Sequence, residues 1–126
     1  MDAEPLRGRD LAGEDFVVVE WRAASDTSEE RPVAGLHVHH EDDEAWVVLE
    51  GTLGFRVGDD VVRAPAGSAV LVPKGTPHSY WCASEEEARY LIVMSPRTRA
   101  LVEELHAGTG ESYADIFRRH ASELLS

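Results

Sequence analysis

Residues 37–51 read HVHHEDDEAWVVLEG, and this stretch predicts both the fold and a candidate site. His37 and His39 are two positions apart, so on a β-strand both imidazoles point to the same face. Glu44 follows an acidic turn and begins an apolar, β-branched segment that is typical of a half-buried strand. The spacing therefore predicts an antiparallel hairpin in which Glu44 faces the two histidines from across the turn.

A second stretch of matching character, residues 67–78, reads GSAVLVPKGTPH. Its short apolar strand is followed by a turn in which proline fixes φ and glycine is free to adopt a positive φ. His78 then begins another predicted strand, residues 78–82, and shares one face of it with Tyr80 and Cys82. The second stretch thus supplies a third histidine that can join the first two.

Three histidines and one glutamate in these stretches form a candidate metal site. Neutral imidazoles and a carboxylate suit divalent first-row metals, and affinity alone does not select among iron, manganese, nickel and zinc. The predicted ligands are His37, His39, Glu44 and His78. His40 points to the opposite face of the strand from His39, so we expect it not to coordinate.

Both stretches resemble the two motifs of the cupin family. The first motif, His-x-His, four residues, Glu, six residues and Gly, fits His37, His39, Glu44 and Gly51. The second motif, Gly, five residues, Pro-x-Gly, two residues and His, fits Gly67, Pro73, Gly75 and His78. Two positions depart from the family pattern: Cys82 replaces the Asn that ends the second motif, and Arg31 stands where a Gly opens the first. Both departures affect turn or packing positions and leave the ligand positions unchanged.

The resemblance covers about residues 15–95 and implies an all-β fold, the double-stranded β-helix or jelly-roll barrel, built from two packed antiparallel sheets. It also implies that one divalent transition metal lies inside the barrel; the alternative is a degenerate barrel whose pocket holds no ion. The chain resembles small single-domain cupins, some of which are compared with quercetin dioxygenase. The family includes dioxygenases, isomerases, decarboxylases and non-catalytic binders. The resemblance therefore predicts the fold and the metal ligands of this chain better than it predicts a reaction.

Length and hydrophobic pattern predict one domain that spans residues 1–126. The barrel occupies about 15–95, and a helical tail occupies about 97–125. Besides the strands already described, the pattern predicts strands at residues 16–21, 53–57, 61–64 and 90–94.

The tail is expected to contain two helices. Gly108 ends the first helix, and Ser112 caps the second, whose apolar face is expected to extend to Leu124 and Leu125. The cupin motifs do not explain this tail, and its expected role is packing across the outside of the barrel, a dimer contact or a lid.

The composition limits the partners and the compartment. The chain contains 24 acidic residues against 12 Lys and Arg, and its formal net charge is −12. Such a surface repels phosphate backbones, so nucleic acid is not an expected partner. One cysteine cannot form an internal disulfide, which fits a reducing compartment. Because neither a signal peptide nor an apolar run near the roughly 20 residues of a membrane span is visible, we expect a cytoplasmic protein without a membrane partner.

Two side chains are candidate catalytic residues. Glu44 is predicted to be a ligand that can also accept a proton. Tyr80 is predicted to be a hydrogen-bond donor or proton shuttle in the cavity, and core filling is an equally open interpretation for it. Cys82 is expected to behave as a small buried hydrophobe.

By family analogy, the favoured function is a metal-dependent, dioxygenase-like oxidation of a small aromatic or enolic compound. The alternatives are a non-catalytic cupin that binds or senses a metal or small molecule, and a metal-dependent isomerase or decarboxylase. A small-molecule ligand or substrate is expected in each case, and a homodimer is the family expectation.

Overall fold

The computed structural model describes residues 1–125 and consists mainly of two five-stranded antiparallel sheets. The strands, in chain order, are β1 Leu11–Ala12, β2 Val17–Ala23, β3 Ala34–His39, β4 Glu44–Glu50, β5 Thr52–Val57, β6 Asp60–Pro65, β7 Ala69–Val72, β8 His78–Cys82, β9 Ala88–Met94 and β10 Ser122–Leu124. Two helices, α1 Pro96–Ala107 and α2 Tyr113–Arg119, lie between β9 and β10. One sheet has the order β1-β2-β9-β4-β7 and the other the order β10-β3-β8-β5-β6. This architecture confirms the predicted all-β jelly-roll barrel with helices at the C-terminal end.

The barrel core lies between the two sheets. Burial alternates along β9, where every second residue from Ala88 to Met94 is buried, as expected for a strand with one face on a core. Trp46 from one sheet packs edge-on against Phe55 from the other, with ring centroids 5.2 Å apart. Burying a side chain of this size stabilises the fold by roughly 1.5–3 kcal/mol, so the large core side chains hold the sheets together.

The turn between β4 and β5 depends on Gly51, the glycine that closes the first motif. Its φ is 73°, a conformation that L-residues with a side chain rarely adopt. A Cβ at this position would also lie 2.8 Å from Ser84 Oγ and 3.0 Å from Ala88 Cα. The glycine is therefore required both by the backbone angle and by the close approach of the segment that leads into β9.

The C-terminal tail differs from the sequence prediction in one respect. Ser95 is the N-cap and Gly108 the C-cap of α1, and Ser112 is the N-cap of α2. The sequence predicted the roles of Gly108 and Ser112. However, α2 ends at Arg119, and residues 122–124 form β10, which pairs with β3. The prediction that the second helix extends to Leu124 and Leu125 is therefore wrong: Ala121 adopts a φ of 53°, which reverses the chain and lets it add a strand to the edge of the sheet.

The two helices, which we call the helical cap, have a hydrophobic cluster of their own. This cluster is separate from the barrel core and consists of Leu101, Leu105, Ile116, Phe117 and Leu124. Neither helix within residues 1–125 has the length and apolar character of a membrane-spanning segment. Packing of one helix against the other, and of α2 against β10, thus defines a small second core beside the barrel.

Candidate metal centre

The four predicted ligands come from three strands in two different sheets. β3 and β8 are neighbours, and their register places His37 directly opposite His78. His39 lies two residues further along β3, on the same face as His37. Glu44 is the first residue of β4, which belongs to the opposing sheet. The ligand cluster therefore forms where the inner faces of the two sheets meet.

The structure brings these four side chains together in the interior. One donor atom from each residue lies within 4.8 Å of the donor atoms of the other three. All four residues are buried, and the most exposed of them retain only 7% of their accessible surface. We refer to His37, His39, Glu44 and His78 as the ligand cluster.

Each imidazole in the ligand cluster is oriented by an oxygen atom outside it. His37 Nδ1 donates to the carbonyl of Gly35 at 2.6 Å, and His78 Nδ1 donates to the carbonyl of Thr76 at 2.9 Å. Because a carbonyl only accepts, both rings carry their proton on Nδ1 and leave the lone pair of Nε2 free. This is the tautomer that a metal-binding histidine needs when Nε2 is the ligand atom.

The same tautomer follows for His39 from a short hydrogen-bond chain. The Ser122 hydroxyl donates to the carbonyl of His120 at 3.1 Å, so its oxygen is left to accept from His39 Nδ1 at 2.7 Å. Ser122 belongs to β10 and is buried. The C-terminal strand therefore sets the orientation of a ligand that lies 83 positions earlier in the chain.

The inward-facing atoms of the ligand cluster are all acceptors. Glu44 Oε1 lies 3.3 Å from His78 Nε2 and 3.4 Å from His39 Nε2. With Nδ1 protonated on both rings, a carboxylate oxygen and two lone pairs face each other without a hydrogen between them. Such an arrangement is stable only when a cation or additional protons lie between the acceptors, so the donor set fits a divalent metal ion.

The pKa values of the ligand cluster favour its metal-binding protonation states. Burial, together with the neighbouring charges of His78 and His39, lowers the pKa of His37 from 6.5 to about 4. Burial alone would raise the pKa of Glu44, but the hydrogen bonds and charges that His39 and His78 supply when their Nε2 atoms carry the additional protons outweigh it and lower that pKa from 4.5 to about 2. A neutral His37 and an ionised Glu44 are therefore the resting states near neutral pH.

Tyr80 lines the cavity beside the ligand cluster and is also part of the barrel core. It is 4% exposed, and its hydroxyl shares a 2.8 Å hydrogen bond with the hydroxyl of Tyr90. Burial holds the pKa of Tyr80 well above its usual range and raises the pKa of Tyr90 to about 12. Both phenols are neutral near pH 7, so Tyr80 can donate a hydrogen bond in this cavity but is a poor base.

Other residues singled out in the sequence lie outside the ligand cluster. The His40 side chain is half exposed, and its Nε2 lies 3.8 Å from Glu123 on the outer surface, so it does not join the ligand cluster. Cys82 is buried and free, and its sulfur contacts the backbone oxygens of Ser84 and Glu86. Cys82 therefore packs at the end of β8, as the sequence predicted.

A small cavity of about 70 Å³ adjoins the ligand cluster, and we call it the inner cavity. It is lined by His37, His39 and Glu44, and its remaining walls are almost entirely apolar. Trp46 also lines it, and its buried indole N–H makes no hydrogen bond of normal geometry within residues 1–125, although it lies near enough to the Tyr80 hydroxyl to act against the rise in the pKa of Tyr80. A buried donor without a partner is unfavourable, so this N–H is available to a polar atom in the cavity.

Sequence reasoning missed the side chains that close this cavity. Phe117 of α2 lies edge-on to His37, with ring centroids 5.5 Å apart, and Leu101 of α1 lines the same cavity. Ser122, which orients His39, was also missed. These residues carry only the ordinary signals of a helix face or a strand, and no motif spacing connects positions so far from the ligands.

Comparison with known proteins agrees with this architecture. The profile of the cupin domain matches residues 27–94. An uncharacterised conserved protein with a double-stranded β-helix domain from Klebsiella pneumoniae is 25% identical, and the match covers 74% of this chain and 82% of that protein, with a TM-score of 0.55. No curated protein matches the sequence.

Two further solved structures share the fold at lower identity. A sugar phosphate isomerase from the cupin superfamily of Silicibacter pomeroyi is 23% identical, and the match covers 64% of this chain and 50% of the isomerase, with a TM-score of 0.55. The iron(II) form of HppE is also 23% identical, with 64% of this chain and 42% of HppE covered and a TM-score of 0.55. The chain thus spans half or less of each of these larger proteins, and the likeness is one of fold. With more than half of its length matched by the cupin profile, and the expected histidines and glutamate gathered inside a two-sheet barrel, the chain belongs to the cupin family.

Proposed function

We propose that the protein binds one divalent transition metal ion, namely iron, manganese, nickel or zinc, through the ligand cluster. The observation that carries this proposal is the convergence of four buried donor atoms within 4.8 Å of one another, with all three imidazoles in the tautomer that presents Nε2. When bound, such an ion supplies Lewis-acid or redox chemistry at the coordination positions that four protein ligands leave open.

The proposed reaction is a dioxygenase-like oxidation of a small aromatic or enolic compound. The inner cavity supports an apolar substrate, because its lining within residues 1–125 contains neither Lys nor Arg. A phosphorylated sugar would need such cationic donors for its phosphate group. The apolar walls would also exclude bulk water from the reacting groups.

Glu44 and Tyr80 are the proposed catalytic residues. Glu44 is a carboxylate with its pKa held near 2, so it accepts a proton only transiently and returns it readily. Tyr80 remains a neutral phenol, and when the Tyr90 hydroxyl donates the hydrogen bond between them, the Tyr80 O–H is left to donate to a substrate oxygen. Trp46 offers a second donor on the same wall.

Elemental analysis followed by oxygen-consumption measurements tests this proposal. The purified protein is analysed for metals and then assayed with flavonols, catechols and diketones, with the metal-free protein as the control. If the protein contains iron, manganese or nickel and takes up oxygen only when the metal is present, the result supports the proposed oxidoreductase activity. Protein that contains metal but turns over none of these compounds contradicts the proposed reaction and leaves the metal site standing.

A non-catalytic binding or sensor cupin is the second candidate. The small volume and the nearly apolar walls of the inner cavity favour it, because a substrate needs polar groups that orient it. Retention of a small molecule through purification without formation of a product would support this candidate. Metal-dependent isomerisation or decarboxylation, measured without oxygen uptake, would instead indicate the third class.

We also propose that residues 1–126 form a single domain that works as a homodimer in the cytoplasm. The single buried cysteine suits a reducing compartment, and exposed apolar side chains on the outer strands, such as Leu71 on β7, supply surface for a partner copy. Light scattering coupled to size-exclusion chromatography would give twice the chain mass of 13.9 kDa for a dimer, and a monomer mass would contradict this assembly.

A further inference from the structure

A second, larger cavity of about 560 Å³ lies between the helical cap and the barrel, and we call it the outer cavity. The inner and outer cavities share part of their walls, but only the inner cavity is lined by residues of the ligand cluster. The shared wall residues are Trp21, Ala34, Tyr80, Val102, Leu105 and Phe117. The ligand cluster is therefore separated from the outer cavity by a thin layer of mostly apolar side chains.

The inner cavity by itself is too small to enclose a whole aromatic substrate. Its volume of about 70 Å³ is about one eighth of the 560 Å³ of the outer cavity. A molecule with an aromatic ring can approach the ligand cluster only if part of it occupies the outer cavity and if the shared wall moves or is removed. The shared wall is thus positioned to decide the size of the molecule that reaches the metal site.

The outer cavity has the chemistry of a site for an electron-rich apolar molecule. The aromatic rings of Trp21, Tyr90 and Tyr113 contribute to its lining. Although the chain contains 24 acidic residues, none of those within residues 1–125 lines this cavity. Arg22 and His106 lie on its walls, and Arg22 is paired with Glu87 at 2.8 Å. The ring of an aromatic anion would find apolar and aromatic contact here, with no carboxylate among the lining residues in the range 1–125.

Phe117 is the shared-wall residue that touches the ligand cluster. Its ring is 5% exposed and lies edge-on to His37 at a centroid distance of 5.5 Å. It is carried by α2, whose hydrophobic cluster is separate from the barrel core. Movement of this ring therefore does not require the barrel core to repack.

We propose that Phe117 determines the substrate size of the proposed metal site, and that the outer cavity binds the ring of a small aromatic carboxylate or phenolate whose anionic oxygen is directed at the ligand cluster. This inference rests on the metal site proposed above. Shortening Phe117 joins the two cavities and admits a larger molecule. The affinity of a ligand small enough for the inner cavity should not change.

The test uses the cobalt(II)-loaded protein, whose visible absorption changes when an anion binds to the ion. Formate and benzoate are titrated, since they share a carboxylate and differ by one phenyl ring. For Phe117→Ala we expect benzoate affinity to rise by about 10-fold or more, and formate affinity to change by less than about threefold, because only the larger ligand gains space. Phe117→Leu should give an intermediate benzoate affinity.

Ile116→Ala is the matched control, because Ile116 is 1% exposed in the same helix cluster but lines neither cavity. It should leave the benzoate-to-formate affinity ratio as it is in the original protein. An unchanged ratio in Phe117→Ala, or an equal rise in Ile116→Ala, would overturn the role of Phe117. If Phe117→Ala does not fold, Leu105→Ala opens the shared wall from α1 and is judged by the same ratio.

The failure of the inference and the failure of the proposed metal site give different results. A chain that shows no cobalt absorption at all overturns the metal site and, with it, the role of Phe117. A chain that binds cobalt normally but shows no dependence of the affinity ratio on Phe117 overturns the size-selection role alone.

Discussion

Each imidazole of the ligand cluster is held by one hydrogen bond from its Nδ1 to an oxygen atom outside the cluster. Two of the acceptors are backbone carbonyls of Gly35 and Thr76, and the third is the Ser122 hydroxyl. These bonds fix the ring orientation before any ion arrives, so less conformational entropy is lost on binding. The neighbouring His39 and His40 should therefore respond differently to substitution.

His39→Ala should remove nearly all bound metal, whereas His40→Ala should leave it in place. The first change deletes a buried donor atom, and the second alters a half-exposed side chain beside Glu123. We expect the affinity loss for His39→Ala to exceed the roughly 10–100-fold that loss of an orienting partner costs. Metal content after dialysis against a buffered competitor measures both variants, and equal losses would show that the assignment of strand faces is wrong.

Ser122→Ala should weaken metal binding without removing a ligand. The hydroxyl that orients His39 Nδ1 is lost, so we expect an affinity loss of about 10-fold or more. Ser122→Thr keeps the hydroxyl and is the control that should retain most of the affinity. Competition titration with a chromophoric chelator gives both constants, and unchanged affinity in Ser122→Ala would mean that the hydrogen bond has no orienting role.

Spacing within one strand made the convergence of the ligand cluster predictable from the sequence. His37 and His39 share a face because strand side chains alternate, and a turn of fixed length brings Glu44 opposite them. Ser122 and Phe117 were not predictable in this way. Their position depends on the pairing of β10 with β3 and on where α2 lies over the barrel, which are decided by tertiary packing.

At the scale of elements, strands with strong alternation were predicted well and short strands were not. β8 has the predicted limits, and β4 begins at Glu44 as predicted, because apolar runs and turn residues mark these ends. β1 and β10 have only two and three residues, and each exists because a longer neighbour offers a free edge. Propensity over so few residues does not distinguish a strand from a helix end, which is why residues 122–124 were predicted as helix.

Gly51→Ala should destabilise the β4–β5 turn more than Gly67→Ala destabilises its own turn. Both glycines have a positive φ, of 73° and 91°, but only a Cβ at position 51 meets neighbouring atoms. The backbone conformation costs on the order of 1–3 kcal/mol in each variant, and steric overlap adds to it in Gly51→Ala. Urea denaturation measures the difference, and equal free energies of unfolding would show that the contact with Ala88 relaxes without cost.

At the scale of the whole molecule, the buried titratable groups make the metal-free fold sensitive to acid. The unfolded chain protonates His37 near pH 6.5, but the folded chain does so only near pH 4. Between these values the unfolded state binds more protons, so the free energy of unfolding decreases as the pH falls. Glu44, with its pKa lowered from 4.5 to about 2, adds a further loss of stability below about pH 4.5.

We therefore expect the metal-free protein to lose on the order of 3 kcal/mol of stability between pH 7 and pH 4 through His37 alone, since each pKa unit corresponds to about 1.4 kcal/mol. Urea denaturation at a series of pH values measures this loss. His106→Gln, which removes an exposed histidine, is the control and should retain the full dependence, whereas His37→Gln should flatten it. A metal-free protein whose stability does not change over this range would contradict the burial of a neutral His37.

An anomalous difference map tests most directly whether the four side chains hold a metal ion. Crystals of the metal-loaded protein would be measured at the absorption edge of the bound ion. We expect one peak per chain, enclosed by Nε2 of His37, His39 and His78 and by the carboxylate of Glu44, with metal–nitrogen distances near 2.0–2.1 Å if the ion is zinc. A peak at any other place, or no peak at the ligand cluster in crystals that contain the metal, would contradict this expectation.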